Sequence, residues 1–235
     1  MRRILLWVCC SLVAASPASA QVGNDPALSP FHDIRNGRFL ELFGGRMVGS
    51  GGSIPVGPRD GNVFGARVNF RAKNTIQVSF GGWYANTVRN IVDADDSIAT
   101  RVKPAIAHHL LGGEATLQFN LTGGKTWHAL APYVGLGLGV VKGPKTPAAD
   151  TSGYIFGTKM YFAPTLGTRL MISQRMFIKA EGKAYFWSLK YPASYSDEPS
   201  KQPGTGDVIN AVNRSGKSSG YVPAPVLLFG IGFAF

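Results

Sequence analysis

The chain has 235 residues, a formal charge of +11 and only 16% charged residues. It is too apolar and aromatic for a disordered chain, which combines low hydrophobicity with high charge. Its two cysteines cannot build a disulfide-dense scaffold or a Cys-rich zinc site, and charge this sparse, against a typical ~25%, argues against a nucleic-acid binder.

Arg2 and Arg3 open the chain, an apolar run over 4–15 follows, and Ala18 and Ala20 precede Gln21. A charged start, a short apolar run and an A-x-A site form the pattern of a cleaved secretory signal peptide over residues 1–20. The run is shorter than the ~20 residues that a spanning helix needs. Cleavage after Ala20 removes Cys9 and Cys10, so the exported chain holds no cysteine and its charge falls to +9. Residues 21–37 read as an N-terminal periplasmic segment, and residues 38–235 as one β domain.

From there the pattern has period two, the signature of strands whose side chains alternate between two faces. The first strand, about 39–48, has Leu40 and Leu42 beside Glu41, and its alternation is the weakest. Phe64, Ala66, Val68 and Phe70 alternate with Gly65, Arg67, Asn69 and Arg71. Beyond a short turn, Ile76, Val78 and Phe80 alternate with Gln77, Ser79 and Gly81. Leu111, Ala115, Leu117 and Phe119 oppose Glu114, Thr116, Gln118 and Asn120. Val134, Leu136, Leu138 and Val140 oppose Tyr133, Gly135, Gly137 and Gly139. Two further strands set Leu166 and Leu170 against Arg169, and Ile178, Ala180 and Ala184 against Lys179, Glu181 and Lys183. The last sets Leu227, Phe229, Ile231, Phe233 and Phe235 against Leu228, Gly230, Gly232 and Ala234.

The strands number eight. Short turns near Lys73 and Gln174, with a longer one over 122–130, alternate with long polar connections over 49–62, 90–105, 143–154 and 191–220. The last is rich in Ser, Pro, Gly and Lys and reads as mobile. This is the pattern of an all-β, eight-stranded, antiparallel, up-and-down transmembrane barrel with short periplasmic turns and long extracellular loops. A soluble barrel shares the period, but the polar faces separate the two. Glu41, Glu114 and Glu181 all oppose the aliphatic rows and share their face with Arg67, Arg169, Lys179 and Lys183. That face suits a narrow lumen, and the nearly pure aliphatic face suits lipid.

The closing run Phe229-x-Ile231-x-Phe233-x-Phe235 resembles the terminal strand of bacterial outer-membrane proteins. The likeness is to the small eight-stranded barrels of the OmpA-barrel, OmpX and OmpW type. It implies that the barrel-assembly machinery reads this strand during insertion. The likeness covers most of the chain as pattern and topology, and it brings no catalytic or binding residue with it.

The lumen charges read as an ion-pair network that plugs the barrel, since eight strands enclose little more than side chains and buried charges must be paired. The alternative is an ion or proton path. Gly135-Leu136-Gly137-Leu138-Gly139 lies inside a strand, whereas a phosphate loop turns into a helix, so these glycines read as room for bulky neighbours such as Tyr133 and Arg169. His108 and His109 point to opposite faces and cannot share one metal, and neither has a Ser within two residues. No motif calls for a catalytic residue, metal or cofactor. Arg89, Arg101, Lys103, Lys142, Lys145, Lys190 and Lys217 lie near outer strand ends or in long loops, within reach of lipopolysaccharide phosphates. Trp83, Tyr84, Tyr161, Tyr185, Trp187 and Tyr191 read as an interfacial girdle, some of it turned inward. The leading functional reading is a plugged outer-membrane barrel with a structural or surface-interaction role. A narrow channel for small or apolar solutes comes second, and a lipid-A-modifying enzyme third.

Overall fold

The computed structural model describes residues 29–97, 99–146, 150, 152–195, 212 and 218–235. The signal-peptide reading and Lys217 fall outside them. Residues from Phe31 to Phe235 form one compact unit.

Eight long strands form the wall: β2 (Arg38–Met47), β3 (Gly61–Arg71), β4 (Ile76–Val92), β5 (Val102–Asn120), β7 (Leu130–Lys142), β8 (Thr158–Ser173), β9 (Met176–Lys190) and β10 (Ser219–Ala234). Each pairs antiparallel with its neighbour in this series, and β10 pairs back onto β2, from Ala234 opposite Phe39 to Val226 opposite Met47. Closure leaves no unpaired edge among these eight strands, and this is the condition for placing a sheet in lipid. Two three-residue strands were not legible as period two: β1 (Phe31–Asp33) and β6 (Lys125–Trp127), which pair with each other. Three residues are too few to show an alternation, and both sit at the end of the barrel that carries the short turns.

The outward rows are those the alternation assigns. Leu42, Phe64, Phe80, Leu117, Leu136, Leu166 and Phe229 are all more than two-fifths exposed. On a soluble protein this much apolar surface would be a liability; as a continuous belt it is what lipid requires. On β2 the belt is bracketed by the outward cations Arg38 and Arg46. They stand eight residues apart, about 26 Å along the strand, or roughly 20 Å of height at the usual tilt, somewhat less than the ~25 Å belt of such barrels.

The interior has three storeys. At the short-turn end, Ile34, Phe39, Ala131 and Phe177 form a small apolar cluster. Polar and charged residues fill the middle. A large apolar and aromatic cluster fills the long-loop end, and it includes Trp83, Leu110, Tyr161, Tyr185, Trp187 and Leu228.

The long connections, read from the sequence as polar loops, also send apolar side chains into the barrel. The loop over 48–60 turns Ile54 and Val56 into the upper cluster, and the loop over 143–157 adds Tyr154 and Phe156. Tyr195 enters from a short 3-10 turn (Ala193–Tyr195). The reason is physical: a mouth lined by Trp83, Tyr185 and Trp187 offers apolar area that loop aromatics can bury. Of the connection over 191–218, residues 196–211 and 213–217 lie outside the described residues.

Leu136 is the central outward position of β7, between Val134 and Leu138. Leu136→Arg is expected to cost roughly 2–4 kcal/mol of folding free energy in lipid. Equilibrium refolding into vesicles measures it, and a change near zero would reverse the inside-outside assignment.

Candidate functional site

The middle storey gathers most of the charged residues singled out in the sequence. Glu41 from β2 and Glu181 from β9 are both buried, and Arg67 from β3 bridges them with contacts of 3.0 Å to each. Lys179 approaches the same two carboxylates at 3.3 and 2.9 Å. The Tyr133 hydroxyl donates to Glu181 at 2.5 Å, and the Asn69 amide donates to Glu41 at 3.1 Å. Lys183 links Glu181, at 3.5 Å, to Glu114, with which it makes a close ion pair. Thr116 and Tyr161 donate to Glu114 at 2.6 and 3.2 Å. Every carboxylate here faces at least one cation and one neutral donor, the arrangement that offsets the desolvation of buried charge.

Arg169 departs from the expected ion-pair network. It bonds the amide oxygens of Asn120, at 2.8 Å, and Gln118, and its guanidinium lies 4.5 Å from the Tyr133 ring centre. The register explains this. Arg169 on β8 lies opposite Lys179, two positions toward the short-turn end from the Gly167–Glu181 pair, so it faces the amide-bearing end of β5.

One device joins the storey across the seam between the last strand and the first. β10 turns Gly230 and Gly232 inward. A Cβ on Gly230 would stand 3.1 Å from a Glu41 carboxylate oxygen, and one on Gly232 would strike the Phe177 ring. With hydrogens there, Glu41 of β2 and Lys179 of β9 meet over the intervening strand. The glycines of β7 act similarly, but for other neighbours than expected: Gly139 makes room for Tyr161 and Gly137 for Glu114, while Tyr133 lies over Gly167 of β8.

A second ion pair, at the long-loop mouth, was not anticipated. Arg89 on β4 is buried and pairs closely with Asp150 of the 143–157 loop. This corrects its reading as a cation within reach of lipopolysaccharide phosphates: at this height β4 turns Arg89 inward, as it does Ala85 and Thr87. The Ser152 hydroxyl and backbone NH donate to Asp150 at 2.5 and 3.0 Å. Burial pushes the Asp150 carboxyl up, but the hydrogen bonds from Ser152 and Arg89 and the guanidinium charge outweigh it and hold it below the usual carboxylate range. Burial also pushes the Tyr195 phenol up to about 12, and it donates to the Val92 carbonyl at 2.7 Å. Nothing in an isolated loop aspartate marks such a role; the usable signal was an arginine at an inward position near a strand end.

Other residues singled out in the sequence find places. Trp83, Tyr161, Tyr185 and Trp187 face inward as one packed group, with Trp83 donating to the Tyr161 hydroxyl at 2.8 Å, while Tyr84 faces out. His108 is buried and His109 exposed. No group of three His, Cys, Asp or Glu among the described residues could hold a metal. Lys103 pairs with Asp93 and Asp96, whereas Lys142, Lys145 and Lys190 are exposed. Phe229 and Phe233 face outward on β10, Ile231 between them is half-buried, and Phe235, 71% exposed, lies just past the strand with its NH on the Arg38 carbonyl.

A closed eight-stranded antiparallel wall, with an apolar belt outside and paired charges inside, defines a transmembrane β-barrel. No family model matches the chain, and no curated protein matches it in sequence. Among solved structures it is similar to the outer membrane protein OprG from Pseudomonas aeruginosa, at 14% identity over 88% of this chain and 99% of that one, with a TM-score of 0.49. It is also similar to Neisserial surface protein A, at 13% identity over 88% and 98%, TM-score 0.47. A third likeness is to Escherichia coli outer membrane protein W, at 16% identity over 85% and 98%, TM-score 0.45.

Glu181 is the acid shared by Arg67, Lys179 and Lys183. Glu181→Gln strips the charge and leaves those cations under-compensated, at an expected cost of roughly 3–5 kcal/mol. Heat-modifiable gel migration over a urea series reads it. Asp150→Asn acts locally: at neutral pH, tryptic cleavage after Lys145 should accelerate several-fold while the barrel stays folded. Because the folded Asp150 pKa is depressed, its contribution is full above an unfolded value of ~3.9. It fades as pH falls through the lower folded value, and amide exchange of the 143–157 loop should rise over that window.

Proposed function

We propose that the chain is an integral outer-membrane barrel, exported by a cleaved signal peptide over 1–20, whose lumen is plugged and whose role is structural or surface-interacting rather than catalytic. The observation that carries this is the middle storey. The cavity bounded by Phe43, Arg67, Trp83, Glu114, Lys183 and Tyr185 is about 10 Å³, no more than the space of one water. Paired charges below the aromatic storey leave a hydrated ion no matching partners, and the loop aromatics bury the mouth above.

On this reading the partners are the outer-membrane lipids, lipopolysaccharide among them, and the barrel-assembly machinery, which would take the strand ending in Phe229, Ile231, Phe233 and Phe235. Nucleic acid is not a partner. The channel for small or apolar solutes is the competing reading, and the four inward aromatics speak for it.

Conductance separates the two. Full-length protein reconstituted in a planar bilayer is expected to give no unitary steps above baseline. Steady ohmic steps that change with Glu181→Gln would replace the plug with a pore. Fractionation of the expressed protein with the outer membrane checks the location.

A further inference from the structure

The short-turn end carries charge that the plugged lumen does not use. Among the described residues it holds Arg35, Arg38, Arg71, Lys73, Lys125 and Arg175 against one acidic side chain, Asp33, which stands opposite Lys125. At the other end Arg89 and Lys103 have aspartate partners. Arg71 is occupied by the chain itself, donating to the Ile34 and Asn36 carbonyls. Arg35, Arg38 and Arg175 are exposed, and no ion pair or hydrogen bond joins their guanidinium groups to another described residue. Their backbones, by contrast, are held. The Arg35 NH donates to the Gln174 Oε1 at 3.2 Å, the Arg38 carbonyl accepts from the Phe235 NH at 3.3 Å, and the Arg175 carbonyl accepts from the Ala234 NH at 2.7 Å. Two adjoining open grooves run between these groups. One, of about 470 Å³, lies against Arg35, Arg38, Phe70 and Arg71; the other, of about 330 Å³, lies against Arg175 and Ala234; Asn36 and Phe235 line both. Asp33 lines neither. The wall strands beneath, β9, β10 and β2, are consecutive in the ring, so the three arginines share one side of the barrel end.

We propose that this groove pair docks the barrel onto the cell-wall peptidoglycan, by binding the carboxylates of its peptide stems. The inference rests on the outer-membrane reading above, which turns the short-turn end toward the periplasm, and it names the partner of that surface-interacting role. A guanidinium group presents a planar fork of donors that matches a carboxylate in two parallel hydrogen bonds. Three such forks on anchored backbone, with no internal carboxylate to occupy them, form a receptor for a chain that carries several carboxylates. Phe70 and Phe235 give the grooves apolar walls, which suit the methyl groups of the alanines in those stems. Position favours the wall polymer over a lipid headgroup. Arg38 opens β2, but Arg35 precedes that strand and Arg175 lies in the turn between β8 and β9, so two of the three stand past the ends of the strands that carry the apolar belt. Arg35 also follows Ile34, whose side chain is buried in the lower cluster, and so it sits on chain that packs into the lumen end.

The test sediments full-length protein, held in phosphatidylcholine nanodiscs, with purified peptidoglycan sacculi. The second probe is the same sacculi with their carboxylates converted to amides. Wild type is expected to bind native sacculi about tenfold better than amidated ones, as loss of charge-assisted bonds requires. Arg35→Gln/Arg38→Gln/Arg175→Gln should lose that preference. Arg35→Lys/Arg38→Lys/Arg175→Lys should keep part of it, and Lys142→Gln/Lys145→Gln/Lys190→Gln, at the opposite end, should keep all of it. Heat-modifiable migration verifies that each variant is folded. Equal binding of amidated sacculi, undiminished binding by the Gln triple, or an equal loss in the long-loop triple overturns the site. So does a Gln triple that binds sacculi like wild type but loses retention of phosphatidylglycerol doped into the nanodiscs, which would make the arginines a lipid-headgroup surface. A protein that fractionates with the outer membrane but does not sediment with sacculi overturns the docking and leaves the outer-membrane reading intact; one absent from that fraction overturns the reading itself.

Discussion

The interior of this barrel is a fixed, small volume, and every charge within it must find its counter-charge there. Eight strands enclose a space that side chains alone can fill, and closure, forced by the need to satisfy every backbone group in lipid, forbids relief by opening an edge. The rest of the molecule follows from that constraint. Glu41 and Glu181 share Arg67 and Lys179 because four side chains from β2, β3 and β9 must neutralise one another in one layer. Glycines face inward where a carboxylate or an aromatic ring needs the room. Arg169, beyond reach of that layer, takes amides and an aromatic face instead.

Chain that lies outside the wall strands packs into both ends of the lumen. At one end Ile34 joins Phe39 and Phe177, and Arg71 holds the segment by donating to the Ile34 carbonyl at 2.5 Å and to that of Asn36. At the other, Tyr154 and Phe156 descend from a loop anchored by Asp150 on Arg89. The loops so far described are therefore partly structural: their backbones reach outward while selected side chains complete the core.

The fold was legible because its two physical requirements write themselves into sequence at period two. Lipid demands aliphatic residues on one face, as in Val134, Leu136, Leu138 and Val140; a narrow lumen demands glycine or polar residues on the other. The same alternation placed Glu41, Arg67, Lys179 and Glu181 on one face, although parity cannot say which strands face each other across a lumen. That depends on register and shear, and so the partners of Arg169 and Tyr133 could not be read. Arg89 escaped because its meaning comes from Asp150, 61 residues away in a loop without periodicity. The short β1–β6 pair escaped for the same reason: three residues carry no period.

The glycines of β10 have a consequence for how the barrel holds together over time. The junction of first and last strands is where a ring of strands can come apart without breaking a hairpin. Here it carries a backbone ladder and, over Gly230, a side-chain bridge from Glu41 to Lys179 that skips a strand. To part β10 from β2, the molecule must also pull a carboxylate from an ammonium, both of them buried. The junction is thus latched from within, by side chains as well as by the backbone ladder.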